Sequence, residues 1–380
     1  MKKSLSPLIV LIVIATMLSA CVAATPAAPQ VIKETVVVKE TAQVPAAPAA
    51  KPGGDRVLIG YAAPALVGGQ EWLISNTMDD VEKLGWKMIV ANSNGDAQKQ
   101  NDDVDFLISM GTKAIIAVPN DSAAICTAAK KAKEAGVLFV TEDRSPSGCA
   151  IDMTVLSDNR MAGRQGGEVM ADALKAKYGE VKGTVLEITG DLSQNVGQLR
   201  RDGFHDVMDQ YPGVKVIQKV GNWDAAKGQQ IVRDVLNGTP ELDGIYMHSE
   251  VVYGAGTQAV LQELNRWKKA GEDGHIIITG VDGGPWLLQS VWDGYAEGTG
   301  SQPSRYFTIA VEMIDKLLKG EKIAEGEFVK EGALWSPAKI TINADGTPEM
   351  MLGTLKVDKS NIKDPLAWSY HYPDLKPPEQ

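Results

Sequence analysis

The sequence contains few residues that could bind a metal or perform redox chemistry. It has three cysteines and four histidines in 380 residues. The histidines are His205, His248, His275 and His371. No two of them have the short spacing typical of zinc ligands. We therefore predict no metal site.

Basic residues and long apolar runs are also scarce. The chain has 38 Lys and Arg against 48 Asp and Glu, a net charge of −10. Because such a surface is repelled by phosphate backbones, the composition disfavours nucleic-acid binding. Beyond the N-terminal segment, no run is apolar for the roughly 20 residues that a membrane-spanning helix needs.

The N-terminal segment has the pattern of an export signal. Lys2 and Lys3 precede an apolar run from Leu8 to Leu18, which is too short for an ordinary membrane span. The run closes with the letters LSAC, which end at Cys21. This is the lipobox pattern of bacterial lipoproteins, whose cysteine is acylated after cleavage. We predict a lipoprotein signal peptide over residues 1–21; a plain secretory signal with an accidental cysteine is the alternative.

The segment after Cys21 differs in composition from the rest of the chain. Residues 22–54 are mainly Ala, Pro, Thr and Val with few charges, a composition that predicts a disordered tether. Removal of residues 1–21 would leave a net charge of about −12. About 325 residues remain from Asp55 onward, more than one hydrophobic core usually serves, so two lobes are expected.

The rest of the chain alternates short apolar runs with longer amphipathic stretches, which predict strands and helices respectively. The predicted strands are residues 56–62, 87–92, 114–119, 137–142, 152–157, 183–190, 214–220, 244–248 and 276–283. Gly85 and Gly111 mark two predicted helix ends. This alternation predicts an α/β fold with two doubly wound parallel-sheet lobes and right-handed crossovers.

Polar and aromatic side chains follow the predicted strands, where ligands bind in open parallel sheets. They are Gln70, Glu71, Trp72, Asn120, Asp121, Gln198, Trp223, Ser249, Glu250 and Asp282, together with the adjacent pair Asp143 and Arg144. An acid and a base side by side balance each other's charge and still reach hydroxyl groups, while indole faces cover C–H surfaces. The set favours a neutral polyhydroxylated ligand. It contains no evident combination of a nucleophile, a general base and a residue that orients the base.

Several motifs occur in an order and spacing that resemble one family. They are "DAQKQNDDVDFLISMGTKAIIAVPND" (96–121), "TEDR" (141–144), "LSDN" (156–159), "RRDGF" (200–204), "ITGVDG" (278–283) and the pair at 302–303. From about Arg56 to Lys322, the chain is similar to type I periplasmic sugar-binding proteins, the group of the ribose-binding proteins. A tail resembling that of some sugar-binding members follows at 357–370.

The resemblance implies two lobes that close over a monosaccharide or polyol and deliver it to an ABC permease with its ATPase. It implies a three-segment hinge with crossovers near residues 157–158, 302 and 333–335. The N-terminal lobe would then comprise residues 56–157 plus 303–334. The C-terminal lobe and tail would comprise residues 158–302 plus 335–380.

The resemblance also implies roles for single residues. Asp143, Arg144, Trp223, Asp282 and Gln302 fall on ligand contacts of the family. Five further candidates stand where the family has other residues, which leaves the identity of the sugar open: Gln70, Glu71, Trp72, Gln198 and Ser249. Asp143 and Arg144 could instead form a surface ion pair, Trp72 and Trp286 could be core residues, and Glu250 could cap a helix.

Other functions on the same scaffold remain open at this stage. The ligand could be a nucleoside or a signalling furanone, or the liganded protein could act on a chemoreceptor or sensor kinase. The motif "GAGTQA" (254–259) fits the dinucleotide fingerprint, but no acid closes the next strand at the required distance. We therefore predict close helix packing as the role of these glycines. For the whole protein, we predict a monomeric binding protein that is not an enzyme and has no cofactor.

Cys126 and Cys149 are the two cysteines left after Cys21. A cysteine pair in an exported protein favours a disulfide over a metal site or a catalytic thiol. Both residues follow neighbouring predicted strands of one lobe, at the same edge of the sheet. We therefore predict that Cys126 and Cys149 are bonded to each other.

Overall fold

The computed structural model describes residues 56–66, 69–303, 308–331, 333 and 335–364. The predicted signal peptide, Cys21, the tether of residues 22–54 and residues 365–370 of the tail lie outside these ranges. Within them, no helix is both long enough and apolar enough to cross a bilayer. The same ranges contain no group of three or more His, Cys, Asp or Glu side chains arranged to hold a metal ion.

The strands of the first sheet come from both ends of the described chain. They are β1 (Leu58–Ala63), β2 (Lys87–Asn92), β3 (Ala114–Ala117), β4 (Leu138–Glu142), β5 (Met153–Ser157), β11 (Gly326–Phe328), β12 (Ala338–Ile342) and β13 (Pro348–Leu352). Their spatial order is β11-β12-β13-β5-β4-β3-β1-β2. The five strand pairs from β13 across to β2 are parallel. Strand β12 pairs antiparallel with both of its neighbours, β13 and the edge strand β11.

The second sheet is built from the middle of the chain and one later strand. Its strands are β6 (Gly183–Thr189), β7 (Val214–Val220), β8 (Gly244–Met247), β9 (Ile277–Asp282), β10 (Gly298–Ser301) and β14 (Leu355–Asp358). The spatial order is β14-β10-β9-β8-β6-β7. All pairs are parallel except β10 with β14.

Helices cover both faces of each sheet. They are α1 (Gly69–Lys83), α2 (Ala97–Ser109), α3 (Ile125–Glu134), α4 (Asn159–Tyr178), α5 (Asn195–Met208), α6 (Ala225–Gly238), α7 (Glu250–Glu263), α8 (Pro285–Asp293) and α9 (Ile309–Leu318). Successive strand residues point to opposite faces, so Ile116 packs in the core under α1 and α9, whereas Ile115 packs under α2 and α3. The second lobe has the same two-sided arrangement. This confirms the predicted α/β class with two doubly wound lobes.

The chain passes between the sheets at three places. The first passage follows Ser157 at the end of β5, and the second lies between β10 and α9. The third was predicted near residues 333–335, and this prediction is wrong. Strands β12 and β13 still belong to the first sheet, where Glu349 to Leu352 pair in parallel with Thr154 to Ser157. The third passage therefore lies between Leu352 and Leu355, and residues 335–352 belong to the N-terminal lobe.

The structure contains the Cys126–Cys149 disulfide, with an S–S distance of 2.05 Å. Cys126 lies in the first turn of α3, and Cys149 lies in the loop that joins β4 to β5. The bond therefore ties two connections at the carboxyl edge of the first sheet.

We expect replacement of both cysteines by serine to lower the free energy of unfolding by about 3 kcal/mol, because the bond closes a loop of 23 residues in the unfolded chain. Urea unfolding of the variant and the oxidised wild type measures this difference. Two free thiols in the mass spectrum of oxidised, folded wild type would contradict the bond itself.

The glycines of "GAGTQA" serve helix packing. A Cβ atom on Gly254 would lie 2.2 Å from the Trp286 ring, and one on Gly256 would lie 3.0 Å from the Gln229 side chain. The Trp286 indole packs against the core of the second lobe and donates to Gln258 Oε1 at 2.6 Å. The motif therefore brings α6, α7 and α8 close together, as predicted.

Candidate ligand-binding site between the lobes

The carboxyl ends of the two sheets face each other across a cleft. The backbone N–H of Ser145 donates to Asn195 Oδ1 at 3.0 Å, and Gln194 Nε2 donates to the carbonyl oxygen of Asn120 at 2.8 Å. Ser145 and Asn120 follow β4 and β3 of the first sheet, whereas Gln194 and Asn195 follow β6 of the second. Residues beyond the strand ends of one lobe therefore lie within hydrogen-bonding distance of those of the other.

The N-terminal side of the cleft is built around Asp143 and Arg144, directly after β4. Asp143 has a φ of 64°, a left-handed conformation that Asp and Asn adopt more readily than most residues. Its Oδ2 atom lies 3.7 Å from Arg144 Nε and accepts a hydrogen bond from Gln70 Nε2 at 3.3 Å. Arg144 Nη1 donates to the carbonyl oxygen of Pro119 at 3.0 Å. Burial lowers the pKa of the Arg144 guanidinium, and the Asp143 carboxylate opposes this shift.

The C-terminal side of the cleft is built around Asp282 at the end of β9. Its Oδ1 atom lies 3.0 Å from Arg200 Nη1, and its Oδ2 atom accepts a hydrogen bond from Ser249 Oγ at 2.6 Å. Gln302 donates to Asp282 twice, through Nε2 to Oδ1 at 3.4 Å and through the backbone N–H to the carbonyl oxygen at 2.9 Å. Burial raises the pKa of Asp282, while Arg200 and the Ser249 hydroxyl act in the opposite direction.

Arg200 is itself buried, with 5% of its surface exposed. Its Nε atom donates to Asn159 Oδ1 at 2.8 Å, and Nη1 also donates to the carbonyl oxygen of His248 at 2.5 Å. The guanidinium therefore joins α4, α5 and the ends of β8 and β9. It fixes the Asp282 carboxylate at the cleft.

Trp223 lies beyond β7 in an unusual backbone conformation, with a φ of 56°. Its backbone N–H donates to Tyr253 Oη at 2.8 Å. The ring lies so close to Gly190 that a Cβ atom there would be 1.9 Å from it. Its Nε1 atom donates to Gln194 Oε1 at 2.6 Å, and the Arg200 guanidinium carbon lies 5.6 Å from the ring centroid. The indole is thus held at the C-terminal side of the cleft.

Three buried polar atoms on side chains that contact Asp143 or Asp282 have no hydrogen-bond partner within the described residues. They are Gln70 Oε1, Arg144 Nε and Gln302 Oε1. Buried polar groups are usually paired, because an unpaired one costs about 1 to 3 kcal/mol. Two acceptors and one donor at the two carboxylates suit a ligand that both donates and accepts hydrogen bonds, as hydroxyl groups do.

The charges at the cleft form two balanced pairs, Asp143 with Arg144 and Asp282 with Arg200. A third acid, Glu250, is buried at the start of α7 and accepts the Gly284 N–H at 2.6 Å. Burial, reinforced by Asp282, raises its pKa well above the usual value, so the neutral form is favoured. The site therefore suits a neutral polar ligand better than an ion.

Glu142, the residue before Asp143, is fully buried and accepts a hydrogen bond from Tyr61 Oη at 2.5 Å. Burial raises its pKa to about 8. Between the usual value of 4.5 and this one, the folded protein holds a proton that the unfolded chain has lost, so the stability contributed by Glu142 falls as pH rises.

We therefore expect Glu142→Gln, which keeps the acceptor for Tyr61, to raise the unfolding temperature more at about pH 8 than at about pH 4.5. Thermal unfolding of both proteins across this range measures the difference. Glu134→Gln, an exposed substitution on α3, serves as the control. An equal shift at both pH values would show that Glu142 does not titrate in this window.

The structure brings most of the predicted site residues together. Asp143, Arg144 and Gln70 lie on one side of the cleft, and Asp282, Ser249, Gln302 and Trp223 lie on the other. Glu71 is exposed on α1. Trp72 is half-buried and packs against the core of the N-terminal lobe. Gln198 is exposed and donates to the carbonyl oxygen of Leu192 at 2.8 Å.

Sequence reasoning missed three residues that shape the site: Arg200, Gln194 and Asn159. Arg200 belongs to the "RRDGF" motif and Asn159 to the "LSDN" motif, but neither was assigned a role, and Gln194 was not singled out. No sequence signal separates the buried Arg200 from its partly exposed neighbour Arg201. Only the packing of α4 against α5 decides which arginine faces the cleft.

Comparison with known proteins agrees with this architecture. Residues 74–322 match the family described as periplasmic binding protein domain. The ribose import binding protein RbsB of Bacillus subtilis is 33% identical over 247 residues, which cover 64% of this chain and 75% of that protein. The D-apiose import binding protein of Paraburkholderia graminis is 30% identical over 263 residues, covering 68% and 77%.

Solved structures share the fold. An ABC transporter solute binding protein from Mycobacterium smegmatis with bound glycerol has a TM-score of 0.68 at 24% identity, covering 83% of this chain and 98% of its own. A periplasmic solute binding protein from Actinobacillus succinogenes with bound D-allose has a TM-score of 0.67 at 20% identity, covering 81% and 99%. With the two-lobed fold and the match over residues 74–322, these findings show that the chain belongs to the periplasmic binding protein family.

Proposed function

We propose that this protein is an extracytoplasmic receptor that captures a monosaccharide or a related neutral polyol and delivers it to an ABC permease with its ATPase. The ribose and D-apiose import binding proteins support the transport role, since each aligns over about three quarters of its own length. Contacts to both lobes would favour the closed state by their differential affinity. The receptor would act as a monomer.

One observation carries the choice of ligand. Each side of the cleft presents a carboxylate balanced by an arginine, with unpaired buried polar atoms beside them. Carboxylate and guanidinium groups form strong, directional hydrogen bonds with pairs of hydroxyls. An anion would meet Asp143 and Asp282, and a cation would meet Arg144 and Arg200. A neutral polyhydroxylated molecule avoids both conflicts.

Binding without chemical conversion is the second part of the proposal. His248 directly follows β8, and its carbonyl oxygen accepts a hydrogen bond from Arg200 at the cleft. Both of its ring nitrogens are engaged, Nδ1 by the Gly190 N–H at 3.2 Å and Nε2 by Glu187 at 2.9 Å. Burial lowers its pKa, so the neutral ring is favoured. A base held in this way is not free to activate a nucleophile.

Anchoring through Cys21 is the third part of the proposal, and it rests on the lipobox alone. Lipid chains on Cys21 would hold the receptor at the membrane, because each buried methylene adds roughly 0.8 kcal/mol. We expect Cys21→Ala to move the protein from the membrane fraction to the soluble extracytoplasmic fraction. Fractionation followed by mass measurement tests this, and a wild-type protein without lipid mass would refute it.

A thermal-shift screen tests the proposed ligand class. A ligand at a hundred times its dissociation constant adds about 2.7 kcal/mol to the stability of the folded state. We expect this increase with at least one neutral monosaccharide or polyol and not with amino acids. A shift with nucleosides or furanones alone would move the proposal to those ligands, and no shift with any sugar or polyol would refute it. If the cellular response to the ligand persisted in cells that lack the permease, the liganded protein would act on a membrane sensor.

A further inference from the structure

Gln194, immediately before α5, joins the two lobes through a single side-chain amide. The residue is 4% exposed. Its Nε2 atom donates to the carbonyl oxygen of Asn120 in the N-terminal lobe at 2.8 Å. Its Oε1 atom accepts the Nε1–H of Trp223 in its own lobe at 2.6 Å. One planar group therefore links the position of the Trp223 indole to the position of the opposite lobe.

The next residue strengthens the same contact. Asn195 Oδ1 accepts the backbone N–H of Ser145 at 3.0 Å, and the backbone N–H of Asn195 donates to Ser122 Oγ at 3.2 Å. Ser145 directly follows Arg144, and the segment that holds Ser122 begins after Pro119, whose carbonyl oxygen holds Arg144. The start of α5 therefore contacts both segments that position the Asp143–Arg144 pair.

The Trp223 indole needs an anchor of this kind. Asn222 and Trp223 both have a φ of 56°, a conformation in which bulky side chains are uncommon. Gly190 leaves room for the ring, but packing against a glycine gives the indole N–H no hydrogen-bond partner and no preferred direction. The hydrogen bond from Nε1 to Gln194 supplies that direction.

We infer that Gln194 is a positioning residue that couples the orientation of Trp223 to closure of the lobes. When the lobes are closed, both ends of the amide are satisfied. Separation of the lobes takes Asn120 away from Nε2. The amide that holds the Trp223 N–H is then fixed by that bond alone. A ligand that packs on Trp223 thus stabilises the closed state through Gln194 as well as through its own contacts. The role as a ligand receptor rests on the proposed function, whereas the coupling itself does not.

Two substitutions separate the two halves of the amide. Gln194→Glu keeps an oxygen for the Trp223 N–H but loses the donor to Asn120 and places a carboxylate against its carbonyl oxygen. Gln194→Met keeps the length and loses both hydrogen bonds. Gln230→Met on α6 is the matched control, because the Gln230 side chain is exposed and donates to Asp234 Oδ1 of its own helix.

Two measurements on the purified full chain test the coupling, the first without ligand and the second with the sugar or polyol that stabilises the wild type. The indole N–H resonance of Trp223, assigned by its loss in Trp223→Phe, should shift in Gln194→Met, which loses the acceptor, and in Gln194→Glu, which replaces it by a carboxylate and loses the link to Asn120, and not in Gln230→Met. At saturating ligand, the decrease in the radius of gyration measured by small-angle scattering should be smaller in both Gln194 variants than in the wild type and in Gln230→Met. An unchanged indole resonance in Gln194→Met, or a wild-type decrease in radius in both Gln194 variants, would overturn the inference.

Ligand affinity adds a third measurement, with whichever sugar or polyol stabilises the wild type in the screen. Loss of one hydrogen bond that forms on closure should weaken binding roughly three- to tenfold in Gln194→Glu. Affinity equal to that of the wild type would contradict a contribution of Gln194 to closure. Because the first measurement needs no ligand, failure of the proposed function leaves it valid and is seen separately in the screen.

Discussion

Asp143→Asn is expected to weaken binding of the stabilising sugar at least tenfold and to remove most of the thermal shift that the sugar produces. The substitution leaves an amide where a carboxylate accepts hydrogen bonds, and a bond to a charged group contributes about 1.5 to 3 kcal/mol. Asparagine is the appropriate replacement because Asp143 has a φ of 64°, and Asn adopts this conformation more readily than Ala. Titration calorimetry measures the change in affinity.

Two observations separate a binding role from a structural one. The unliganded variant should remain folded, because the amide oxygen still accepts from Gln70, but it should be less stable than wild type, because Arg144 loses its counter-charge. Affinity is therefore measured at a temperature well below the unfolding transition of the variant. Asp102→Asn on α2, whose side chain is exposed and contacts Gln98, should leave affinity unchanged. Wild-type affinity in Asp143→Asn would exclude the carboxylate from ligand binding and leave the buried Asp143–Arg144 pair with a structural role.

The two-lobed fold could be predicted because its signals are local. Buried strands such as β3 and β9 are short apolar runs between turn residues, and the helices between them end at glycines such as Gly85 and Gly111. The third passage between the sheets could not be predicted in the same way. Pairing of Glu349 with Thr154 joins residues nearly 200 positions apart, and a strand's own sequence does not specify which sheet it joins.

The site was predictable where strand ends supply it. Asp143, Ser249 and Asp282 follow parallel strands, so the rule for open sheets places them at the same edge. Arg200 and Gln194 lie on or beside α5, where burial depends on the neighbouring helix. Three contacts of Arg200, with Asn159, His248 and Asp282, come from three other elements of the lobe. Contacts from several elements depend on how those elements pack, so they produce no recognisable residue spacing in the sequence.

Arg200→Met is expected to lower the free energy of unfolding by about 3 to 5 kcal/mol, because it leaves the buried Asp282 carboxylate without its counter-charge. Burial already raises the pKa of Asp282, and Arg200 opposes that effect. Without Arg200 the pKa of Asp282 should rise further. A buried acid with a raised pKa costs stability as pH increases above its unfolded value, so the loss should be larger at about pH 8 than at about pH 4.5.

The neighbouring arginine provides a matched control. Arg201 pairs with Asp202 at 2.6 Å, with about a third of each side chain exposed, so Arg201→Met should cost no more than about 1 kcal/mol. The double variant Arg200→Met with Asp282→Asn should recover part of the loss, because it removes the unpaired charge and keeps an acceptor for Ser249. Urea unfolding of the four proteins at both pH values measures these differences. If Arg200→Met and Arg201→Met were equally stable, the Arg200–Asp282 pair would not hold the C-terminal side of the cleft, and Asp282 would need another counter-charge to remain ionised when a ligand binds.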